Sequence, residues 1–174
     1  MSPDTSREPP AEHATPLTHE GLGITLALPP GWSVASTATF PLQIFGPVRN
    51  GYRPNLAFST ERFAPPTREG LAAFVASVRA AQRGDHPGLD EEAIAEIDLD
   101  GHPGILQRYS WRPGGGSPPL AQLLALVLVA PGELLEIDAA TLGELARETV
   151  PLLETTLFSV RFTGRRAAPG ASSG

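Results

Sequence analysis

Histidine is the side chain best suited to moving protons near neutral pH, and this chain has four: His13, His19, His86 and His102. His13 and His19 fall in a polar N-terminal stretch and are expected in solvent. His86 and His102 stand beside Pro87 and Pro103, in turn-like surroundings that do not suit a catalytic base. The chain has no cysteine, which removes thiol nucleophiles, disulfides and zinc–thiolate sites together. All thirteen basic residues are arginine, so neither a Schiff-base lysine nor a phosphate-binding P-loop lysine exists. No serine occupies a Gly-x-Ser-x-Gly elbow, and there is no His-Glu-x-x-His. Asp98-Leu99-Asp100-Gly101 resembles the start of a calcium loop, but the later ligands and the closing Glu are missing, which favours a hairpin. Gly114-Gly115-Gly116 lacks a Gly-Lys-Ser/Thr ending and precedes no helix, so it reads as a flexible loop. The pairs Glu91/Glu92 and Glu133/Glu136 read as a solvated face; nothing favours a glycosidase-like pair. No catalytic residue, metal ligand or cofactor is therefore expected, and the chain is read as a non-enzyme.

Binding is harder to exclude. Trp32, Tyr52, Tyr109 and Trp111 are few and large, and Arg49, Arg53, Arg108 and Arg112 lie near them in sequence. Aromatic and arginine side chains are favoured anchors at interfaces. The plainer reading makes Trp32 and Tyr109 core and the arginines solubilising. The candidate binding surface is Tyr52, Arg53, Arg108, Tyr109, Trp111 and Arg112. Loops 47–54 and 112–119 flank it, and loops on a rigid scaffold commonly carry binding.

Strands and two helices must position these residues. Ile24, Leu26 and Leu28 alternate at strand period before Pro29-Pro30-Gly31. Further strands fit residues 41–46 and 55–62, with Asn50-Gly51 a turn signal between them. Thr67 is a candidate N-cap, and Leu71, Phe74, Val75 and Val78 form one helical stripe ending near Gly84. Residues 94–98, 105–111, 120–129 and 134–139 read as strands, the first preceded by an optional helical turn at 91–93 and followed by the hairpin signal Asp100-Gly101. Along 105–111, Ile105, Gln107, Tyr109 and Trp111 share one side, and Leu106, Arg108 and Ser110 the other. Residues 120–129 are apolar on both sides, which suits a central strand covered on both faces. A second helix fits 141–156. Pro151 costs about 3 kcal/mol inside a helix, so a kink or restart is expected there, with Thr149 as its cap. A short strand at 158–162 completes the order β-β-β-α-β-β-β-β-α-β. This is an α+β chain with a mainly antiparallel sheet flanked by helices in three layers.

The totals agree with one domain. The chain has 174 residues and 41% hydrophobic content. Residues 1–20 and 164–174 read as polar disordered tails around a single domain at 21–163. A net charge of −6, with no cluster of basic residues beyond Arg165-Arg166, argues against nucleic acid and anionic membrane as partners. Residues 1–20 hold no apolar run, and the longest, 120–130, is too short for the roughly twenty residues of a membrane-spanning helix. No membrane insertion and a cytoplasmic location are expected. Arginine without lysine, among many Ala, Gly and Pro residues, points to a GC-rich, bacterial genome.

The strand ending in Leu28-Pro29-Pro30-Gly31-Trp32, the hairpin Asp100-Gly101-His102-Pro103-Gly104 and the passage from helix to strand over Leu153–Phe162 resemble the PsbP-like fold. The resemblance covers nearly all of residues 21–163. It implies a sheet between helical layers, an α/β/α sandwich with no catalytic residues to carry over. That fold group includes a photosystem extrinsic protein, a yeast Ran-binding import factor, envelope lipoproteins, Eag-type secretion chaperones and bacterial families of unknown function. Without a lipoprotein cysteine, the intracellular branches fit better. The expected function is a non-enzymatic intracellular protein-binding module, an adaptor or a chaperone for secreted cargo, with an apolar groove or patch and an unidentified protein partner. The alternative is a small-molecule-binding or enzymatic domain with a pocket near Tyr109 and Trp111. A homodimerising structural subunit is a third reading.

Overall fold

The structure is a computed structural model that describes residues 14–86 and 88–164. Strand β1 (Thr15–His19) leads through a 3-10 turn (Glu20–Leu22) into β2 (Ile24–Leu28), followed by β3 (Ser33–Ala35), β4 (Leu42–Phe45), β5 (Asn55–Arg62) and helix α1 (Arg68–Asp85). Then come β6 (Asp90–Leu99), β7 (His102–Trp111), β8 (Leu120–Ala130), β9 (Glu133–Leu142), a second 3-10 turn (Gly143–Leu145), helix α2 (Ala146–Phe158) and β10 (Arg161–Phe162). The strands form a seven-stranded sheet in the order β3-β4-β5-β9-β8-β7-β6 and a three-stranded sheet in the order β1-β2-β10. The pairings within them are antiparallel.

Turn chemistry sets the registers. Asn50-Gly51 and Asp100-Gly101 each have two successive positive φ angles (51° and 76°, 54° and 82°), the backbone a tight two-residue hairpin needs. In the second, the Gly101 amide donates to Asp98 Oδ1 at 2.8 Å, so the acidic pair serves the hairpin. Thr67 caps α1 by accepting from the Gly70 amide. At Gly70 a Cβ would stand 1.9 Å from the Pro65 carbonyl oxygen, so only glycine lets the loop lie against the first turn of α1.

The period-2 pattern divides the large sheet into two unlike faces. On one face Leu42, Ile44, Leu56, Phe58, Leu123, Ala125, Leu135 and Ile137 meet Ile24 and Leu26 of β2 and Leu153 and Leu157 of α2. Phe58, Ile44, Ile137 and Leu153 are fully buried there, each contributing about 2 kcal/mol. The opposite face is covered by α1 through a smaller cluster. Tyr109, Leu124 and Leu126 are its buried members, and Phe74, Val75 and Val78 of α1 pack on them only half-buried. Polar links help hold α1: Arg79 Nη2 donates to both oxygens of Glu91 at 2.9 Å, and Gln107 Nε2 donates to the same carboxylate at 3.0 Å. Three layers result, with the small sheet sharing the α2 layer.

Several elements differ from the sequence reading. Residues 15–19, expected in a disordered tail, form β1. Leu17 packs on the core, and His19, expected in solvent, accepts from the Leu22 amide through Nδ1 while Nε2 lies 3.1 Å from the Pro41 carbonyl oxygen. His13 and the proposed C-terminal tail beyond Gly164 lie outside the described residues. Strand β3 was not anticipated: its three residues are all exposed and present no apolar face. Residues 91–93 form no helical turn; β6 runs from Asp90 with a bulge between Glu91 and Ala93. Residues 141–142 belong to β9, and α2 begins at Ala146. Pro151 therefore falls in the second turn of α2, on its exposed side, and the helix neither restarts there nor uses Thr149 as a cap. Phe158 is helical, and the last strand shortens to two residues.

Candidate binding surfaces

A groove at one end of the large sheet and an acidic pair on its α1 face stand out. The first is a half-open groove of about 860 Å³ at one end of the sheet. Phe63 lines it from the β5–α1 loop, Leu71 from the start of α1, His102 and Pro103 from the β6–β7 hairpin, Val129 from β8 and Phe162 from β10. A second hollow of about 360 Å³ continues it beneath α1, sharing Arg68, Leu71, Pro103 and Leu128. Leu71 belongs to neither apolar cluster and faces the opening. Gly104 brings β7 close against β8, where a Cβ would stand 2.6 Å from the Leu126 carbonyl oxygen. The groove is mainly apolar, with Arg68 and Asp100 at its margin.

The second feature is an acidic pair on β9. Because Leu135, Ile137 and Ala139 point into the core, Glu136 and Asp138 must point to the α1 side. Asp138 pairs in register with Ala57 and Leu124, Glu136 with Ser59 and Leu126. Asp138 is half-buried at the surface with its carboxyl group largely shielded from water. Its hydrogen bond comes from Gln122 Nε2, at 3.3 Å to Oδ1. Gln122 Oε1 in turn accepts from the Trp111 indole. No arginine or histidine pairs with Asp138 or Glu136 among the described residues. Desolvation, then the Glu136 charge, push the Asp138 carboxyl up to about 7; desolvation and then Glu61 raise Glu136. The hydroxyls of Tyr109 and Tyr52 are raised too, by burial first and by the Asp138 charge among further causes.

The candidate residues drawn from the sequence separate on the two faces. Tyr109, 3% exposed, and half-buried Trp111 lie on the α1 face, with Tyr52 close enough to feel Asp138. Arg108 points to the other face, where its Nε donates to Glu154 of α2 at 2.5 Å. Arg53 donates to the Gly46 carbonyl oxygen and to Ser33 Oγ and lies 5.1 Å from the Phe45 ring centre. Arg112 is exposed beyond the end of β7. The three aromatic residues of the set thus lie around Gln122 and Asp138, and the arginines do not. Loop 47–54 is tied to the start of α2, Arg49 to Glu148 at 3.0 Å and Asn50 to Glu144 at 2.6 Å. Trp32 is core, stacked where a Cβ on Gly46 would be only 2.9 Å from its ring. His86 Nδ1 lies 2.9 Å from the Gln82 carbonyl oxygen and its ring meets Trp111 edge-on at 4.2 Å. His102 Nδ1 lies 3.2 Å from the Leu128 carbonyl oxygen and its ring packs on Phe162 at 4.3 Å. Both histidines are thus engaged in local structure.

Asp138 was missed in the sequence, and Glu136 was read as solvated. The signal was present in Leu134-Leu135-Glu136-Ile137-Asp138-Ala139: acids alternating with apolar residues, on a strand neighbouring one that is apolar on both sides. The groove had no local signal, since its wall is assembled from two hairpins, a helix start and the last strand.

No family model matches the sequence, and no curated protein matches it. Among solved structures, the chain is similar to the cyanobacterial PsbP (CyanoP) of Synechocystis sp. PCC 6803, with a TM-score of 0.62 at 15% identity over 90% of this chain and 97% of that one. LpqN of Mycobacterium tuberculosis, described as involved in cell envelope biogenesis, gives 0.63 at 17% identity over 86% and 90%. PA94 of Pseudomonas aeruginosa, a protein of unknown function described as a putative regulator, gives 0.56 at 16% over 90% and 100%. At these identities the likeness concerns the fold. The antiparallel seven-stranded sheet, its two helices and these three structures together show that the chain has a PsbP-like α+β fold.

Proposed function

We propose that the protein is a non-enzymatic binding module that holds an apolar segment of a protein partner in the groove between α1 and the β6–β7 and β8–β9 hairpins. The groove itself carries the reading: about 860 Å³, open along one side, and walled mainly by apolar side chains. A closed pocket suits a small ligand, whereas an open apolar trough suits a length of chain. An adaptor or a chaperone for secreted cargo, acting in the cytoplasm, is the specific form of this proposal. The test uses Leu71, which lines both hollows and belongs to neither apolar cluster. Leu71→Asp places a carboxylate in the first turn of α1, where the helix dipole tolerates it. Affinity purification of the intact chain from its native host should recover a stoichiometric partner. Leu71→Asp should lose that partner while keeping its melting temperature within a few degrees. Recovery of no stoichiometric partner, or equal recovery by the variant, contradicts the proposal.

A further inference from the structure

The seven-stranded sheet ends on unequal edges. On one side β3 closes it with three residues; on the other β6 leaves ten, and among the described residues β7 is its one hydrogen-bonded neighbour. A strand paired on one side turns a row of free N–H and C=O groups outward. The bulge between Glu91 and Ala93 breaks the ladder, so the regular open stretch is residues 93–99. Its side chains alternate between two chemistries. Ile97 and Leu99 turn to the main core, with Ala93 and Ala95 on the same side, while Ile94, Glu96 and Asp98 turn to the α1 face, where Glu96 stands opposite Ile105. Glu96 and Ile97 also border the smaller hollow, so open space lies beside this stretch. The strand holds five acids, Asp90, Glu91, Glu92, Glu96 and Asp98, and no basic residue. Arg79 pairs with Glu91, and Asp98 accepts from the Gly101 amide, but exposed Asp90, Glu92 and Glu96 have no ion pair among the described residues. Ile94, 41% exposed, adds an apolar side chain to the same edge.

We infer that the open edge of β6 receives an extended, basic segment of a partner protein, which joins the sheet as a further strand beside residues 93–99. Main-chain hydrogen bonds supply the attachment, and the alternation of side chains supplies the selectivity. Basic residues of the segment fall beside Glu96 and Asp98 on the α1 face, where directly opposed Cβ atoms stand about 5 Å apart. Apolar residues fall beside Ala95 and Ile97 on the other face, where the small alanine leaves room for them. A second copy of this chain is the poorer occupant, because β6 against β6 sets five acids against five. Acids on an edge strand discourage pairing with its own kind and leave the edge open to a strand of opposite charge.

Strand addition draws its affinity from the main chain, so a plain alternating peptide is a fair probe. Acetyl-Val-Arg-Val-Arg-Val-Arg-Val-amide, titrated into the isotope-labelled intact chain at low salt, should shift the amides of residues 93–99 in two-dimensional NMR and slow their hydrogen exchange. The shifts should saturate with a dissociation constant of about 1 mM or tighter. The same peptide with glutamate in place of arginine should not bind. Of two forms N-methylated at alternate residues, at least one should bind about tenfold more weakly, because methylation removes the main-chain donors of one edge. Glu96→Arg, at an exposed position, should weaken binding about fivefold or more while leaving the melting temperature unchanged. Absence of saturable shifts in β6, undiminished binding by both N-methylated forms, or unchanged affinity in Glu96→Arg overturns the inference. Shifts in β6 that grow with protein concentration in the absence of peptide would show a second copy on the edge, and would overturn it too.

Discussion

Asp138 shows how one residue's setting governs its chemistry. An acid on the outer face of an edge strand would cost little, but β9 lies between β5 and β8, and the Asp138 carboxyl is largely shielded from water. After burial, the Glu136 charge on its own strand makes its ionisation worse, and the hydrogen bond from Gln122 of β8 eases it. The folded carboxyl is raised to about 7 from an ordinary value of 3.8, so the folded state binds the extra proton between those limits. Stability is then fullest below pH 4 for this group and falls as pH rises through about 7. At about 1.4 kcal/mol per pKa unit, the loss is on the order of 4 kcal/mol. Asp138→Asn cannot ionise. Denaturant titrations should find it near wild type at pH 4 and more stable by about 4 kcal/mol at pH 8. A difference that does not grow with pH would show that the carboxyl is ordinary.

The helices show why some elements could be read from the chain and others could not. Thr67, Leu71, Phe74, Val75 and Val78 announce α1 and its start correctly. They do not reveal how lightly it sits, because that depends on which strands lie beneath. Its apolar stripe is only half-buried, and Arg79, Gln82 and Glu91 do part of the holding. By contrast α2 sets Leu153 and Leu157 fully into the main core, so Pro151 on its exposed side is tolerated at the loss of one hydrogen bond. The hairpins at Asn50-Gly51 and Asp100-Gly101 were legible because positive φ demands particular residues. The short strands β1 and β3 were not, since β1 is mostly exposed and β3 wholly so, and neither shows an apolar alternation. Native-state hydrogen exchange should reflect this contrast. Amides of α1 should exchange through local openings at least about tenfold faster than those of β8 and β9. Equal protection would mean that α1 is as firmly packed as the sheet.

Across the whole molecule, the two faces of one sheet do different work. The α2 face, with the small sheet, holds the dense core; the α1 face is thinly covered and carries the acidic pair, and the apolar groove opens at the end of the sheet between them. The alternation of strands 24–28, 55–62 and 105–111, with the doubly apolar β8, was enough to anticipate a layered antiparallel fold. The groove was not legible, because it is assembled from four or more segments brought together only by strand order. The proposed role rests on the groove. A photo-crosslinking residue placed at Leu71, inside the groove, and another at Val48, 64% exposed on the β4–β5 loop, test it most directly in the native host. The proposed role predicts one abundant protein adduct from position 71 and none from position 48. No adduct from position 71, or the same adducts from both positions, would contradict it.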